Sequence, residues 1–301
     1  YEDKYDDVSG YSNPDESDHD FFTIGHTSTS VSLACGLAKG RDLKGDSENI
    51  IAVIGDGSLS GGEALEGLDF ASELNSNLII VVNDNDMSIA ENHGGLYGNL
   101  SALRASNGKA EDNYFKTLGF DYRYVADGND VEALIAVLNE VKDSVRPVVV
   151  HVHTLKGKGY APAEEHKEQF HWSLPFDLKT GQVTVNGGGK SYGEYVADYL
   201  EEQAVRNDKL AVINAATPGA LMLRNFREKH PEKYFDVGIA EEHAVAFTSA
   251  LAKGGMQPVA LFFGGFIQRA YDQLSQDLCL NNSPAVLVIE NCGITGMDEH
   301  F

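Results

Sequence analysis

The chain has 301 residues, 42% hydrophobic and 23% charged, which is material enough for one large domain or two of ordinary size. Its 46 acidic against 23 basic residues leave a net charge of −23, which argues against a nucleic-acid partner and against docking on an anionic membrane. No run approaches the roughly 18 apolar residues of a membrane-spanning helix, no basic-then-apolar leader opens the sequence, and the cysteines Cys35, Cys279 and Cys292 are scattered, so a disulfide scaffold is excluded and a reducing cytoplasm is expected.

Residues 1–20 are acidic and polar and read as a surface lead-in. A helix is expected over 31–39, a strand over 50–54, a helix over 63–74 and a strand over 78–82. Val131, Leu134, Ile135 and Leu138 at helical spacing predict a helix over 130–143, followed by a strand over 148–152. The strand candidates are short β-branched runs, as expected of strands buried on both faces. This rhythm implies a parallel sheet with helices on both faces. Residues 177–190, with three consecutive glycines and polar flanks, read as a flexible linker. A second α/β pattern follows: helices over 192–204 and 241–253, strands over 210–214, 258–263 and 285–290. The expected class is α/β in two domains, 1–176 and 191–301, the second incomplete.

Two motifs stand where strands are expected to end, which is where open α/β sheets bind ligands. Gly55-Asp56-Gly57 follows the strand over 50–54, and Asn83-Asp84-Asn85 follows the strand over 78–82. Asp56 and Asn85 offer hard oxygen ligands suited to magnesium or calcium. The glycines let the backbone approach a diphosphate, and the following helix points its positive end at it. Either tripeptide alone is most simply a turn. The pair is far more specific, with Asp56 and Asn85 separated by 29 residues and each motif closing a buried strand.

That spacing resembles the thiamine diphosphate enzymes. The stretches GHTSTSVSLACGLA (25–38), 52–94, TLKGKGYAPAE (154–164), DVGIAEEHAVAF (236–247) and FIQRAYDQL (266–274) resemble the 1-deoxy-D-xylulose-5-phosphate synthases, in that family's order. Transketolases share the metal motif but match the other stretches less well. The resemblance implies two thiamine-diphosphate-binding domains, mainly parallel sheets with helices on both faces, within a homodimer. It implies a transferase that decarboxylates pyruvate and condenses it with D-glyceraldehyde 3-phosphate, feeding isoprenoid, thiamine and pyridoxal synthesis. Asp56, Asn85 and the carbonyl of Met87 would hold Mg2+, and Gly57, Ser58, Ser28 and Lys156 would meet the cofactor. Glu241 matches the catalytic glutamate that hydrogen-bonds the aminopyrimidine, and Phe266 the aromatic that stacks on it. His26 and His171 match histidines facing the reacting carbon, while Arg269 and Asp298 match residues for the phosphorylated aldehyde. His243 is two residues from Glu241, off its helix face, and is expected to pack instead.

The sequence departs from the family in places. The family's chain is about twice as long, and its first stretch and third domain have no counterpart here. The region between Asn92 and Tyr114 is shorter, Phe263 stands where a tyrosine is usual, and Asn129 where a histidine is usual. These 301 residues are expected to be part of a longer protein. Transketolase-like ketol transfer and a non-catalytic half-protein are the competing expectations.

Overall fold

The computed structural model describes residues 11–185 and 188–293. After a looped segment pinned by the Ser12–Ile24 bridge, the first half runs α1 (Ser30–Lys44), β1 (Ile51–Gly55), a 3-10 turn (Gly57–Ser60), α2 (Gly62–Ser72), β2 (Ile79–Asp84), α3 (Gly95–Ala105), α4 (Tyr114–Thr117), β3 (Asp121–Val125), α5 (Val131–Val141), β4 (Val148–His153) and α6 (Ala161–Glu165). The second half runs α7 (Tyr192–Arg206), β5 (Leu210–Asn214), α8 (Arg224–Lys229), β6 (Tyr234–Asp236), α9 (Glu241–Lys253), β7 (Gln257–Phe263), a broken helical stretch over 264–279, and β8 (Val286–Glu290). Both halves hold a four-stranded, all-parallel sheet, in the order β1-β2-β4-β3 and β6-β5-β7-β8.

The α/β class and the parallel sheets agree with the sequence reading. In the first half, Val31, Leu68, Leu100 and Phe115 from α1 to α4 pack on one sheet face, and Val137 and Val141 of α5 on the other. In the second half, Ala244 and Val245 of α9 cover one face, and Leu200 of α7 with Phe226 of α8 the other. None of the described helices is long and apolar enough to cross a membrane.

β1 corrects one expectation. It is not buried on both faces: Ile51 and Val53 are 50% and 63% exposed, while Ala52 and Ile54 are buried. β1 is an edge strand, and the cluster that α5 covers takes in residues of β2, β3 and β4 but none of β1. Strand β3 was missed because DYRYV alternates charge and aromatic, an edge-strand pattern; β6 was missed because it has only three residues.

Residues 177–185 are more ordered than a flexible linker. Asp177 Oδ1 accepts from the main-chain N–H groups of Lys179 and Thr180, both at 2.9 Å, and Phe176 bridges Val183. Ser191 then opens α7 with a reciprocal capping box to Glu194. Ser191→Ala is expected to cost about 1 kcal/mol, read as a lower urea midpoint with unchanged slope; no change in midpoint would mean that the cap is idle.

Candidate active site

The register brings three strand ends together. Gly55 of β1 lies beside Asn83 of β2, which lies beside Val152 of β4. Asp56, Asn85 and Lys156 therefore leave the carboxyl edges of three adjacent parallel strands, the usual ligand-binding edge of such sheets. Gly57 is required by close approach: a Cβ there would sit 2.6 Å from Cβ of Ser88, in the loop carrying Met87. Tyr97 from α3 steadies the turn, its hydroxyl donating to the carbonyls of Asp56 and Gly57 at 3.2 Å each.

Asp56 is buried and accepts a hydrogen bond from Asn92 Nδ2 at 2.7 Å. Burial, then the negative charge of neighbouring Asp84, push its carboxyl well above the usual range; the N–H groups of Gly57 and Asn85 oppose this. Burial would raise Asp84 too, but hydrogen bonds from His151 and Arg104 outweigh it and hold that carboxyl low. Asn85 is half-buried, and its Oδ1 accepts the Met87 N–H at 3.2 Å. Carboxylate, amide oxygen and main-chain carbonyl form a hard-oxygen donor set, the type that divalent magnesium takes. No group of three His, Cys, Asp or Glu residues with metal-binding geometry exists among the described residues, so any cation here depends on the amide and carbonyl oxygens.

Lys156 turns back over this edge. Its Nζ donates to the carbonyl of Ser88 at 2.5 Å and lies 2.9 Å from Nδ1 of His171. Burial lowers the Lys156 amine to about 8. Burial, then the Lys156 charge, lower His171 to about 4. A neutral His171 leaves Nδ1 free to accept from the ammonium.

The second half contributes a buried acid. Asp236, at the end of β6, accepts from the N–H groups of Ala216 and Gly238 at 2.9 and 3.0 Å, shaping the turn into α9. Glu241 begins α9 at 3% exposure. Its Oε2 makes no hydrogen bond among the described residues; Arg269 Nη1 is 3.7 Å away. Burial raises this carboxyl to about 7, with Arg269 pulling against the shift. Phe266 and Arg269 follow β7, and Phe266 meets Phe263 edge-on at 5.5 Å.

The two halves meet through residues 26–28 and Ser60. His26 Nε2 lies 2.8 Å from the Gly265 carbonyl, and its ring meets Phe266 edge-on at 5.9 Å. Arg269 Nη2 donates to the Thr27 carbonyl at 2.8 Å. Thr27 Oγ1 closely contacts Ser58 Oγ, and Ser28 Oγ donates to the Ser58 carbonyl at 2.8 Å. Ser28 sits at φ +80°, a conformation costly for a side-chain-bearing residue that recurs at functional sites. Ser60 Oγ accepts the Ile239 N–H at 3.1 Å, latching the loop before Glu241.

The predicted residues thus form two clusters. Asp56, Gly57, Ser58, Asn85, Met87, Lys156 and His171 lie along the first sheet's edge, while His26, Ser28, Glu241, Phe266 and Arg269 lie at the junction; Ser58 joins them. Asp298 lies outside the described residues. His243 stacks on Phe247 at 5.8 Å, as a packing residue would. A cavity of about 300 Å3 opens at the junction, lined by His26, Ser28, Gly61, Gly62, Glu63, Glu242, Gln268 and Arg269. A larger cleft of about 880 Å3 touches these residues only at Met87, and its Arg224 and Arg227 are already paired with Glu168. Of the candidate residues, His26, Ser28 and Arg269 line the smaller cavity.

Sequence reasoning missed Tyr97, Asn92, Ser60, Thr27, the nearly buried Arg104, and the buried His151 and Tyr122 behind Asp84. The one local signal was His151, a polar residue flanked by valines within the strand Val148–His153.

A family profile described as 1-deoxy-D-xylulose-5-phosphate synthase matches residues 3–111 and 106–154. A second, the transketolase pyrimidine binding domain, matches residues 189–299. A 1-deoxy-D-xylulose-5-phosphate synthase of Natranaerobius thermophilus is 39% identical over 97% of this chain and 52% of its own length. That of Pelotomaculum thermopropionicum is 40% identical over 97% of this chain and 51% of its own. Among solved structures, transketolase of Campylobacter jejuni covers 89% of this chain and 52% of its own, with 16% identity and a TM-score of 0.39. The chain spans about half the length of the curated relatives that it matches. It belongs to the 1-deoxy-D-xylulose-5-phosphate synthase family.

Proposed function

We propose that this chain builds a thiamine diphosphate site between two units, residues 1–176 and 191–301 joined by 177–190. The site would serve a transferase that condenses pyruvate with D-glyceraldehyde 3-phosphate, releasing carbon dioxide and giving 1-deoxy-D-xylulose 5-phosphate, a precursor for isoprenoids and thiamine. The observation that carries this reading is the junction itself. Phe266 and Arg269 of the second half, with Glu241 beside Arg269, meet His26 and Thr27, and Ser58 ties Thr27 and Ser28 to the Asp56 edge of the first.

The residues fit the cofactor. Asp56, Asn85 and the Met87 carbonyl supply the oxygens for Mg2+. Gly57, Ser58, Ser28 and Lys156 would hold the diphosphate, Lys156 offsetting its charge within a protein of net charge −23. Glu241 Oε2, buried without a hydrogen bond among the described residues, is an atom that a ring nitrogen of the ligand would satisfy. When bound, the cofactor supplies the electron sink that decarboxylation of a 2-oxo acid requires.

The chain's own groups would position and move protons. Glu241, half protonated near pH 7, holds a proton at a carboxyl shielded from water. Phe266 offers a flat apolar surface for a heteroaromatic ring. His26 and His171 are the proposed proton carriers at the substrate oxygens. Arg269 and Asp298 are assigned to the phosphorylated aldehyde. A homodimer in the cytoplasm completes the reading.

Incubation of the purified protein with both substrates, thiamine diphosphate and Mg2+ tests it, with the product followed by NMR. Formation of 1-deoxyxylulose 5-phosphate only when both substrates are present is expected; a two-carbon transfer from a ketose phosphate instead would contradict it. Arg269→Ala is expected to weaken glyceraldehyde 3-phosphate far more than pyruvate, by on the order of 2–5 kcal/mol, because a charge-assisted phosphate contact is lost. Equal loss for both substrates in steady-state kinetics would leave Arg269 only its contacts to Thr27 and Glu241.

A further inference from the structure

Asn85 stands between two aspartates, and one guanidinium holds both. Arg104 reaches back from α3. Its Nη1 lies 2.8 Å from both carboxylate oxygens of Asp84, and its Nη2 lies 2.5 Å from Oδ1 of Asp86. The Asp84 side chain is fully buried, that of Arg104 is nearly so, and that of Asp86 is exposed. Asp84 is engaged from two further sides. It accepts the Asp86 N–H at 3.1 Å and the Nε2–H of His151 at 2.8 Å, while Nδ1 of His151 accepts the Tyr122 hydroxyl at 2.8 Å. Asp84 is therefore the acid of this edge that is already fully partnered, although it occupies the centre of the Asn83-Asp84-Asn85 motif.

The turn that follows needs such a hold. Asp86 adopts φ +63°, a left-handed conformation that an aspartate takes at some cost. Met87 then donates its N–H back to Asn85 Oδ1. The direction of the Asn85 amide and of the Met87 carbonyl depends on that one bend.

We propose that Arg104 is the positioning residue of the cation site: its fork clamps Asp84 and Asp86 and thereby fixes the turn that presents Asn85 and Met87. This inference rests on the reading of Asp56, Asn85 and Met87 as cation ligands. The planar fork is essential, because a lysine ammonium keeps the charge but cannot hold two carboxylates in fixed directions. Groups behind a metal's ligands typically contribute 10–100-fold to its affinity.

The test uses Mn2+ as probe, titrated into the whole chain with thiamine diphosphate, free Mn2+ being read by electron paramagnetic resonance. Arg104→Lys is expected to weaken Mn2+ by roughly 10–100-fold. Asp86→Asn turns the charged arm of the clamp into a neutral one at an exposed position where asparagine tolerates the left-handed backbone, so it should fold, and it too is expected to weaken Mn2+. In the double variant Asp86→Asn should add less than about twofold to the Arg104→Lys loss, since the clamp is already broken. Asp56→Asn is the control for the ligand reading. If it weakens Mn2+ while Arg104→Lys and Asp86→Asn do not, the clamp is overturned and the cation site stands. Losses that multiply in the double variant also overturn the clamp, because Asp86 would then act only as a nearby charge. If the parent binds no Mn2+, or Asp56→Asn leaves binding intact, the cation site falls and the clamp with it. Should Arg104→Lys fail to fold, Asp86→Asn decides alone.

Discussion

Glu241→Gln is expected to make the cofactor-free protein more stable above pH 7 while slowing its chemistry. In the folded protein the Glu241 carboxyl titrates at about 7, against an ordinary value of 4.5. The native state thus binds this proton more tightly than the unfolded chain. The stability that this lends is full below about pH 4.5 and is lost as pH rises through about 7. At pH 8 the buried carboxylate costs about 3 kcal/mol relative to a group with no shift. Glutamine has the shape but no charge, so it should raise the urea midpoint at pH 8 and barely change it at pH 4.5. The same variant is expected to bind thiamine diphosphate yet to exchange the cofactor's thiazolium proton with deuterium far more slowly. Glu242→Gln should leave that exchange near the parent rate. A Glu241 serving only as a first-turn helix carboxylate would contribute about 0.3–1 kcal/mol and nothing to exchange. Parental exchange in Glu241→Gln would mean that the Glu241 carboxyl has no part in the chemistry.

Asp56→Ala is expected to abolish the magnesium dependence of cofactor binding. Asp56 is the one carboxylate of the proposed donor set, and Asp84 is taken up by Arg104 and His151. Removing a charged ligand should exceed the 10–100-fold typical of groups behind one, so a loss above about 100-fold is expected in calorimetric titrations with Mg2+. The fold should persist, because the variant removes a buried acid already forced towards its neutral form. Unchanged affinity would remove Asp56 from the cation site.

What could be read from the sequence was local. The β1 and β2 ends announced themselves because a β-branched run stops at a glycine or asparagine within a few residues. Lys156 was legible for the same reason, in a glycine-rich turn after β4. Glu241 was legible only through the resemblance, since its burial depends on packing that spacing along one helix does not reveal. The clamp was invisible: Arg104 lies 20 residues from Asp84, and an arginine in the last turn of a helix ordinarily needs no partner beyond the helix end. The Ser60–Ile239 latch spans 179 residues, and nothing local to either residue announces the pairing. β1's exposed face was misread because Ile and Val suit both central and edge strands, and only the sheet order distinguishes them.

Calorimetric titration of the purified chain with thiamine diphosphate, once in Mg2+ and once in EDTA, bears most directly on whether the two sheets build one cofactor site. Saturable binding at one site per chain in Mg2+, lost in EDTA, is the expected result. Absence of binding in Mg2+, or the same affinity with the metal removed, would contradict it.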